Sequence, residues 1–370
     1  MFLDRWHHLR AALAAARLNC LAAIAGPNLY YLTGLSFHLS ERPAVGFFPA
    51  SGDPVMVVPT LEETKVTSGA HYPMQVFCYD DVNGPAEAFR QAAQALGQGA
   101  LRLGVEFGRM RVMELRWIEA AFHAAQIEPA ELVLAGLRMA KDEAELAHMR
   151  RATAIAEQAL AATLPKARSG VTERELASEL VIQMLRAGAD AEFPFAPIVA
   201  SGPNAALPHA WVTDRKLQPG DMLIIDWGAA SQGYISDLTR TFALGQVDPE
   251  FKTVFETVRA ANAAAKAAAR PGVTCASVDA AARQVIAAAG YGDFFTHRVG
   301  HGLGLEGHEM PSVHGENQLV LKPGMTFTIE PGVYLPGKGG VRIEDDVVIT
   351  AGGCESLSVY PREWHELPSA

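Results

Sequence analysis

Acidic residues buried inside strand-like hydrophobic runs leave few folds open to this chain. In DMLIIDWGAASQGYISDLTRTF, residues 221–242, a hydrophobic run from Leu223 ends on Asp226. The stretch Ala230 to Gly233 can turn, and Tyr234 to Asp237 leads away in a returning strand. Pairing Ala229 with Tyr234 predicts that Asp226 stands directly opposite Asp237. In TIEPGVYLPGKGGVRIEDD, residues 328–346, Gly337 and Gly339 permit a turn that brings Glu330 opposite Glu344. Like charges facing each other in a partly buried sheet repel and are desolvated together. A cation between them removes both penalties.

A third segment belongs with these two. HRVGHGLGLEGHE, residues 297–309, carries His297, His301 and His308 among Gly300, Gly302, Gly304 and Gly307. A regular helix or strand would lose roughly 0.5–1 kcal/mol per glycine, so this backbone reads as wrapped closely around something. Four carboxylates and the neutral imidazole of His301 carry a charge that two divalent cations neutralise, whereas one would leave half of it uncompensated. Oxygen-rich ligation with one imidazole suits manganese, cobalt or zinc, and the absence of thiolates argues against a structural zinc site. Any one of these five residues alone reads more simply as a cap, a turn or a surface group. Together, facing acid pairs beside a glycine–histidine loop point to a hydrolytic centre with two divalent metal ions.

Bulk properties exclude other classes. A net charge of −10 gives no electrostatic reason to expect nucleic-acid binding. Hydrophobic residues at 49% and charged residues at 19% fit a globular chain rather than a disordered one. Cys20, Cys78, Cys275 and Cys354 are dispersed without a CxxC pair, which favours a cytoplasmic location over a disulfide framework. The apolar stretch from Ala11 to Gly26 has the outline of a signal peptide. Arg17 and Asn19 interrupt it, and an amphipathic helix followed by a buried segment, running on to a strand just after Asn28, needs fewer assumptions. No later run reaches the roughly 18 apolar residues of a membrane span.

The first third alternates helical and strand-like segments: helices at 2–17, 85–97 and 109–123, strands at 44–49, 54–59 and 101–105. It holds no glycine fingerprint for a nucleotide and reads as a supporting α/β domain, residues 1–135, with a break near Gly136. From residue 136 to 370 helices are expected at 141–160, 172–187, 249–269 and 276–289, and strands at 221–229, 234–244, 324–330 and 341–349. Thr172 with Glu175 three residues on forms a capping box. Strand hairpins alternating with helix pairs make this an α+β domain and hint at internal duplication.

The chain resembles the metallopeptidase superfamily that includes proline dipeptidase, aminopeptidase P, methionine aminopeptidase and creatinase. NLYYLTG at 28–34 and LGVEFG at 103–108 resemble the smaller creatinase-like N-terminal domain. SGPNAALPHA at 201–210, the aspartate hairpin, GHGLGLEGHEMP at 300–311, and the IEPG and IED segments resemble the pita-bread catalytic domain. The resemblance implies five metal ligands, Asp226, Asp237, His301, Glu330 and Glu344, with Asp237 and Glu344 bridging two ions. It gives His209 and His308 to the substrate and its tetrahedral intermediate, and Glu330 a second role in proton transfer. Arg342 would support the site or receive a substrate carboxylate. Phe193 and Phe195 are candidates to accept a proline ring, with core packing as their plainer role.

The full ligand set argues against creatine chemistry, and the extra first domain against methionine aminopeptidase. Hydrolysis of Xaa-Pro bonds in proline-containing peptides is the implied activity, by a homodimer with no nucleic-acid or membrane partner. A same-fold hydrolase of a small non-peptide amide, a metal-stabilised binding module and a metal-free interaction domain remain open alternatives. Gly307 departs from the family pattern, standing where many relatives carry a larger apolar residue.

Overall fold

Apolar runs alternating with alanine-rich segments fold the first third into a covered sheet. The computed structural model describes residues 1–97, 99 and 101–368. Its first unit, Met1–Arg138, runs α1 (Phe2–Ala15), β1 (Cys20–Ile24), α2 (Pro27–Thr33), β2 (Val45–Pro49), β3 (Val55–Pro59), α3 (Glu63–Gly69), β4 (Gln75–Tyr79), α4 (Ala86–Leu96), β5 (Arg102–Val105), α5 (Val112–Ala121), β6 (Gln126–Pro129) and α6 (Glu131–Arg138). The strand order is β4-β3-β2-β1-β5-β6. Every residue of β1, β2 and β3 is buried, as expected of strands packed on both faces.

Two expectations change here. The apolar stretch after α1 becomes β1, but the segment after Asn28 is helix rather than strand. Pro27 supplies the fixed φ of a first helical turn, and Gly34, at φ 73°, ends α2 in the left-handed region that favours glycine. Gly136, read as a break, lies inside α6, and the unit ends at Arg138.

The second unit, Met139–Ala370, begins with α7 (Glu143–Thr163) and α8 (Glu173–Arg186). The capping box of α8 forms as read: Glu175 N donates to Thr172 Oγ1 at 3.1 Å, and Thr172 N donates to Glu175 Oε2 at 2.8 Å. Next come β7 (Ile198–Ser201), β8 (Met222–Trp227), β9 (Ala230–Ser231), β10 (Tyr234–Ile235) and β11 (Leu238–Leu244), then α9 (Pro249–Ala268) and α10 (Cys275–Ala288). The chain closes with β12 (Gly300–Gly302), β13 (Glu309–Val313), β14 (Thr326–Ile329), β15 (Gly332–Leu335), β16 (Gly339–Arg342), β17 (Asp345–Thr350), β18 (Gly353–Ser356) and β19 (Glu366–Leu367).

One core joins Ile155, Leu160, Leu180 and Met184 of the first helix pair to Leu223, Trp227 and Leu238 of the sheet β19-β11-β8-β7. A second joins Val254, Phe255, Val278 and Ile286 to Phe327, Ile329 and Val347 of the sheet β13-β12-β14-β17-β18. Burying each such aliphatic or aromatic side chain contributes roughly 1.5–3 kcal/mol, which holds both helix pairs to their sheets. Among the described residues no helix is long and apolar enough to cross a membrane.

The runs read as continuous strands at 234–244 and 341–349 are each broken, at Ser236–Asp237 and at Ile343–Glu344. Here the backbone bonds elsewhere. Asp237 N donates to the Asp346 carboxylate at 3.0 Å, and Glu344 N donates to Thr239 O at 3.1 Å. Glu330, just past the end of β14, donates its N–H to Val299 O at 2.8 Å. Each break turns a carboxylate out of its ladder while leaving the backbone satisfied.

Candidate metal centre

The register of the aspartate hairpin differs from the expected one. Ser231 pairs with Tyr234 and Ala230 with Ile235 around a two-residue turn, Gln232 at φ 52° and Gly233 at φ 77°. Two positive φ angles make this a tight turn whose twist matches its strands. In β8 and β11 the same register puts Thr239, not Asp237, opposite Asp226. The expected pairing was two residues off, and Asp237 is instead a diagonal neighbour of Asp226. A shift of two residues keeps a side chain on its face of the sheet, so both carboxylates still point the same way. For the glutamates, Ile329 pairs with Asp345 and Gly332 with Arg342. Those flanking pairs leave Glu330 and Glu344 at facing positions.

One oxygen or nitrogen each from Asp237, His301 and Glu344 lies within 4.8 Å of the others, a spacing that a single metal ion can span. His301 Nε2 is 3.4 Å from Glu330 Oε1 and 3.6 Å from Asp237 Oδ2. Its Nδ1 faces Gly302 O at 3.1 Å, so Nδ1 carries the hydrogen and Nε2 offers its lone pair to the carboxylates. Burial lowers the His301 pKa to about 3, keeping the ring neutral. A lone pair aimed at carboxylate oxygens is repulsive unless a cation stands between them.

The acids show the same strain. Burial, then the charges of Glu344 and Asp226, raises the Asp237 carboxyl well above its ordinary range. Burial, then Glu330 and Asp226, does the same to Glu344. Burial pushes Glu330 up to about 7 and raises Asp226 despite the opposing pull of Arg342. Asp226 Oδ2 accepts from Arg342 Nη2 at 2.6 Å, while its buried Oδ1 has no hydrogen-bond partner among the described residues. An orphaned carboxylate oxygen beside crowded acids and a neutral imidazole lone pair is a donor set that fits a divalent cation.

Of the other sequence candidates, His308 stacks at a tilt on His301, ring centroids 4.1 Å apart, and is itself exposed. His209 is exposed on the loop after β7 and lies close enough for its charge to act on Asp226 and His308. Arg342 is buried and fully engaged: besides Asp226 it donates to Tyr334 Oη at 2.8 Å, Pro208 O at 3.1 Å and Thr239 Oγ1 at 3.1 Å. Phe195 and Pro194 cover Gly228, two residues beyond Asp226, whereas Phe193 packs against the core of α7 and α8.

Several contributors escaped the sequence reading. Thr239 Oγ1 donates to Glu344 Oε2 at 2.6 Å, and Thr328 Oγ1 sits 3.3 Å from Glu330 Oε1 and accepts from His301 N at 3.2 Å. Asp346, fully buried, receives the Asp237 amide. Tyr334 links Arg342 to His297, whose Nε2 lies 2.9 Å from the phenol oxygen. The acidic run at Glu344–Asp346 inside a buried strand was the available signal for Asp346. Thr239 would have followed from the correct turn length.

Comparison with known proteins finds relatives along nearly the whole chain. A profile described as metallopeptidase family M24 matches residues 147–351, and one described as the creatinase/prolidase N-terminal domain matches residues 5–140. The chain is 34% identical over 347 residues to the Xaa-Pro dipeptidase of Pyrococcus horikoshii, covering 94% of each. Its fold is similar to that of a prolidase from Thermococcus sibiricus, with a TM-score of 0.93, 34% identity and 99% of each chain covered. It is also similar to dipeptidase PepE from Mycobacterium ulcerans, with a TM-score of 0.89, 37% identity and coverage of 99% and 98%.

Proposed function

The chain belongs to metallopeptidase family M24, and we propose that this metal-dependent peptidase cleaves the bond between an N-terminal residue and proline, in dipeptides ahead of longer peptides. The convergence of Asp237, His301 and Glu344 on one point carries the reading. The names of the Xaa-Pro dipeptidase and prolidase relatives supply the substrate class.

In this proposal Asp226, Asp237, His301, Glu330 and Glu344 hold two divalent ions, manganese before cobalt or zinc, because four of the five donors are carboxylates. Such ions acidify water and polarise a carbonyl. The protein's own groups do the rest. Glu330, a ligand beside the reacting groups, would accept a proton and return it to the proline nitrogen. His209 and His308 donate to the oxygen on which negative charge develops. Phe195 offers the proline ring an apolar face, which suits a residue with no amide N–H to satisfy. Arg342, spent on Asp226, Tyr334 and Pro208, acts by bracing the site. A homodimer and a cytoplasmic location complete the proposal. The four free cysteines are consistent with a reducing compartment.

The test is turnover of paired Xaa-Pro dipeptides and Xaa-Pro-Xaa tripeptides after stripping and reloading with each metal, alongside elemental analysis. Turnover of the dipeptide with two metal equivalents is expected, with Asp237→Asn losing both. No turnover of either peptide by fully loaded protein would sink the reading and leave a metal-stabilised binding module or a non-peptide amidase.

A further inference from the structure

The loop that carries His209 is closed at both ends by one carboxylate, and we propose that Glu173 is a positioning residue that holds His209 for turnover. The proposal rests on the peptidase reading of His209. Glu173 is the first residue of α8 and is 0% exposed. A lone buried carboxylate is strongly unfavourable, and this one is met by a full set of donors. Oε1 accepts from Ser201 N and Ser201 Oγ, both at 2.8 Å, and Oε2 accepts from Thr213 N at 3.1 Å and Thr213 Oγ1 at 2.6 Å. Asn204 Nδ2 reaches both oxygens, at 3.1 and 3.2 Å.

The hydroxyl hydrogens are directed as well. Ser201 Oγ accepts from Arg215 Nη1 at 2.7 Å, and Thr213 Oγ1 accepts from Arg215 N at 3.1 Å, so each hydroxyl turns its own hydrogen toward Glu173. One side chain thus ties residue 201 to residue 213 and closes a compact loop between them. Within that loop Leu207, His209 and Trp211 are exposed, so side-chain packing does little to aim the imidazole. Elsewhere in the loop Ala205 and Ala210 pack in a core with Ile224 and Tyr334, Thr213 O accepts from Arg174 N at 3.1 Å, and at the apex Pro208 O accepts from Arg342 Nη1 at 3.1 Å. His209 is the next residue. Its placement relative to Asp226 is set by backbone held at Glu173 and at Arg342 and by the buried Ala210 that follows it.

Glu173→Gln keeps the shape but turns an NH2 group toward N–H and O–H donors, loosening one end of the loop while its backbone bond from Arg174 N to Thr213 O remains. Displacement of a substrate-side group by ~1 Å costs on the order of 100-fold, so kcat is expected to fall by ~10- to 100-fold while bound metal is unchanged. Amide hydrogen exchange across 202–212 should quicken, with α7 and β8 unaltered. In a His209→Ala background the same substitution should cost nothing more. Thr213→Val removes one donor without touching the carboxylate and guards against a Glu173 variant that does not fold. Thr213→Ser keeps the hydroxyl and should restore turnover. Additive losses in the double variant, or unchanged exchange across 202–212 in both Glu173→Gln and Thr213→Val, would overturn the proposal. If the metal-loaded wild type turns over no Xaa-Pro peptide, the peptidase reading fails, and the exchange measurement still decides whether Glu173 sets this loop.

Discussion

Glu344 and Thr239 are joined twice: the glutamate amide donates to Thr239 O at 3.1 Å, and the threonine hydroxyl donates to Glu344 Oε2 at 2.6 Å. This β-bridge links the strand returning from the aspartate hairpin to the strand that follows the glutamate pair. It carries the register of one pair of acids over to the other. Thr239→Val preserves the shape but removes the hydroxyl, which also accepts from Arg342 Nε. Losing a partner that orients a metal ligand lowers metal affinity by roughly 10- to 100-fold. Titration of stripped protein with manganese should show that weakening while the fold, followed by circular dichroism, stays native. Equal affinity in the two proteins would mean that Thr239 does not orient Glu344.

Metal-free protein should lose stability as pH rises above about 6.5. Burial and mutual repulsion raise Asp237 and Glu344 well above their ordinary values, and burial takes Glu330 from 4.5 to about 7. The folded chain then holds protons that the unfolded chain has released. Stability from these groups is complete below the ordinary carboxyl pKa and declines as pH climbs through the folded values. The imidazoles run the other way. Burial lowers His301 to about 3 and His297 to about 4 from 6.5, so their contribution grows with pH up to 6.5 and is constant beyond it. Above that point the acids of the centre decide the slope. A fall in Tm of roughly 3–8 °C between about pH 6.5 and 8 is expected in chelator. Added divalent cation should abolish or reverse it, because only the ionised acids bind metal. A flat profile in chelator would contradict the crowding of these acids.

The contrast between what could and could not be read from sequence follows the range of each interaction. The cap of α8 was legible because Thr172 and Glu175 are three residues apart and satisfy each other locally. The grouping of Asp226 with Asp237 survived an error of two residues in register, because a two-residue slip preserves the face. The partner across the strand did not survive it, so Thr239 went unseen. The helix at Asn28 was missed although Pro27 and Gly34 mark its two ends, because the apolar residues between them also fit a short strand. Glu173 had no local signal at all: its donors lie 28 to 40 residues away and meet it only in the folded chain.

Charge and geometry at Arg342 can be separated. Its guanidinium reaches Asp226, Tyr334, Pro208 and Thr239 at once, and both it and Asp226 are buried. Lysine keeps the charge but offers one compact donor group in place of a planar fork. Arg342→Ala strands the Asp226 carboxylate and should cost roughly 3–5 kcal/mol in stability. Arg342→Lys should cost less in a denaturant melt yet still lower kcat by ~10-fold or more, because Pro208 and with it His209 lose their anchor. Turnover by Arg342→Lys at the wild-type rate would show that charge alone suffices.

The glycines of residues 300–307 do not share one purpose, and substitution should divide them. A Cβ on Gly300 would stand 1.8 Å from Thr328 O, so β12 and β14 could not approach as they do. His301 is the next residue, and moving β12 withdraws its imidazole from Asp237 and Glu330. Gly300→Ala should therefore destabilise by more than ~4 kcal/mol or prevent folding, and any folded fraction should bind metal poorly. Gly307 is different, since a Cβ there meets only Ile235 Cδ1, at 3.9 Å, within ordinary contact. Gly307→Ala should change stability by no more than about 0.5 kcal/mol. Space beside His308 is what Gly307 leaves open, so Gly307→Val should raise KM for substrates with bulky first residues more than for Gly-Pro or Ala-Pro. Equal KM shifts across that series would show that no substrate group enters the space. Equal melting temperatures for Gly300→Ala and Gly307→Ala would refute the close approach at Gly300.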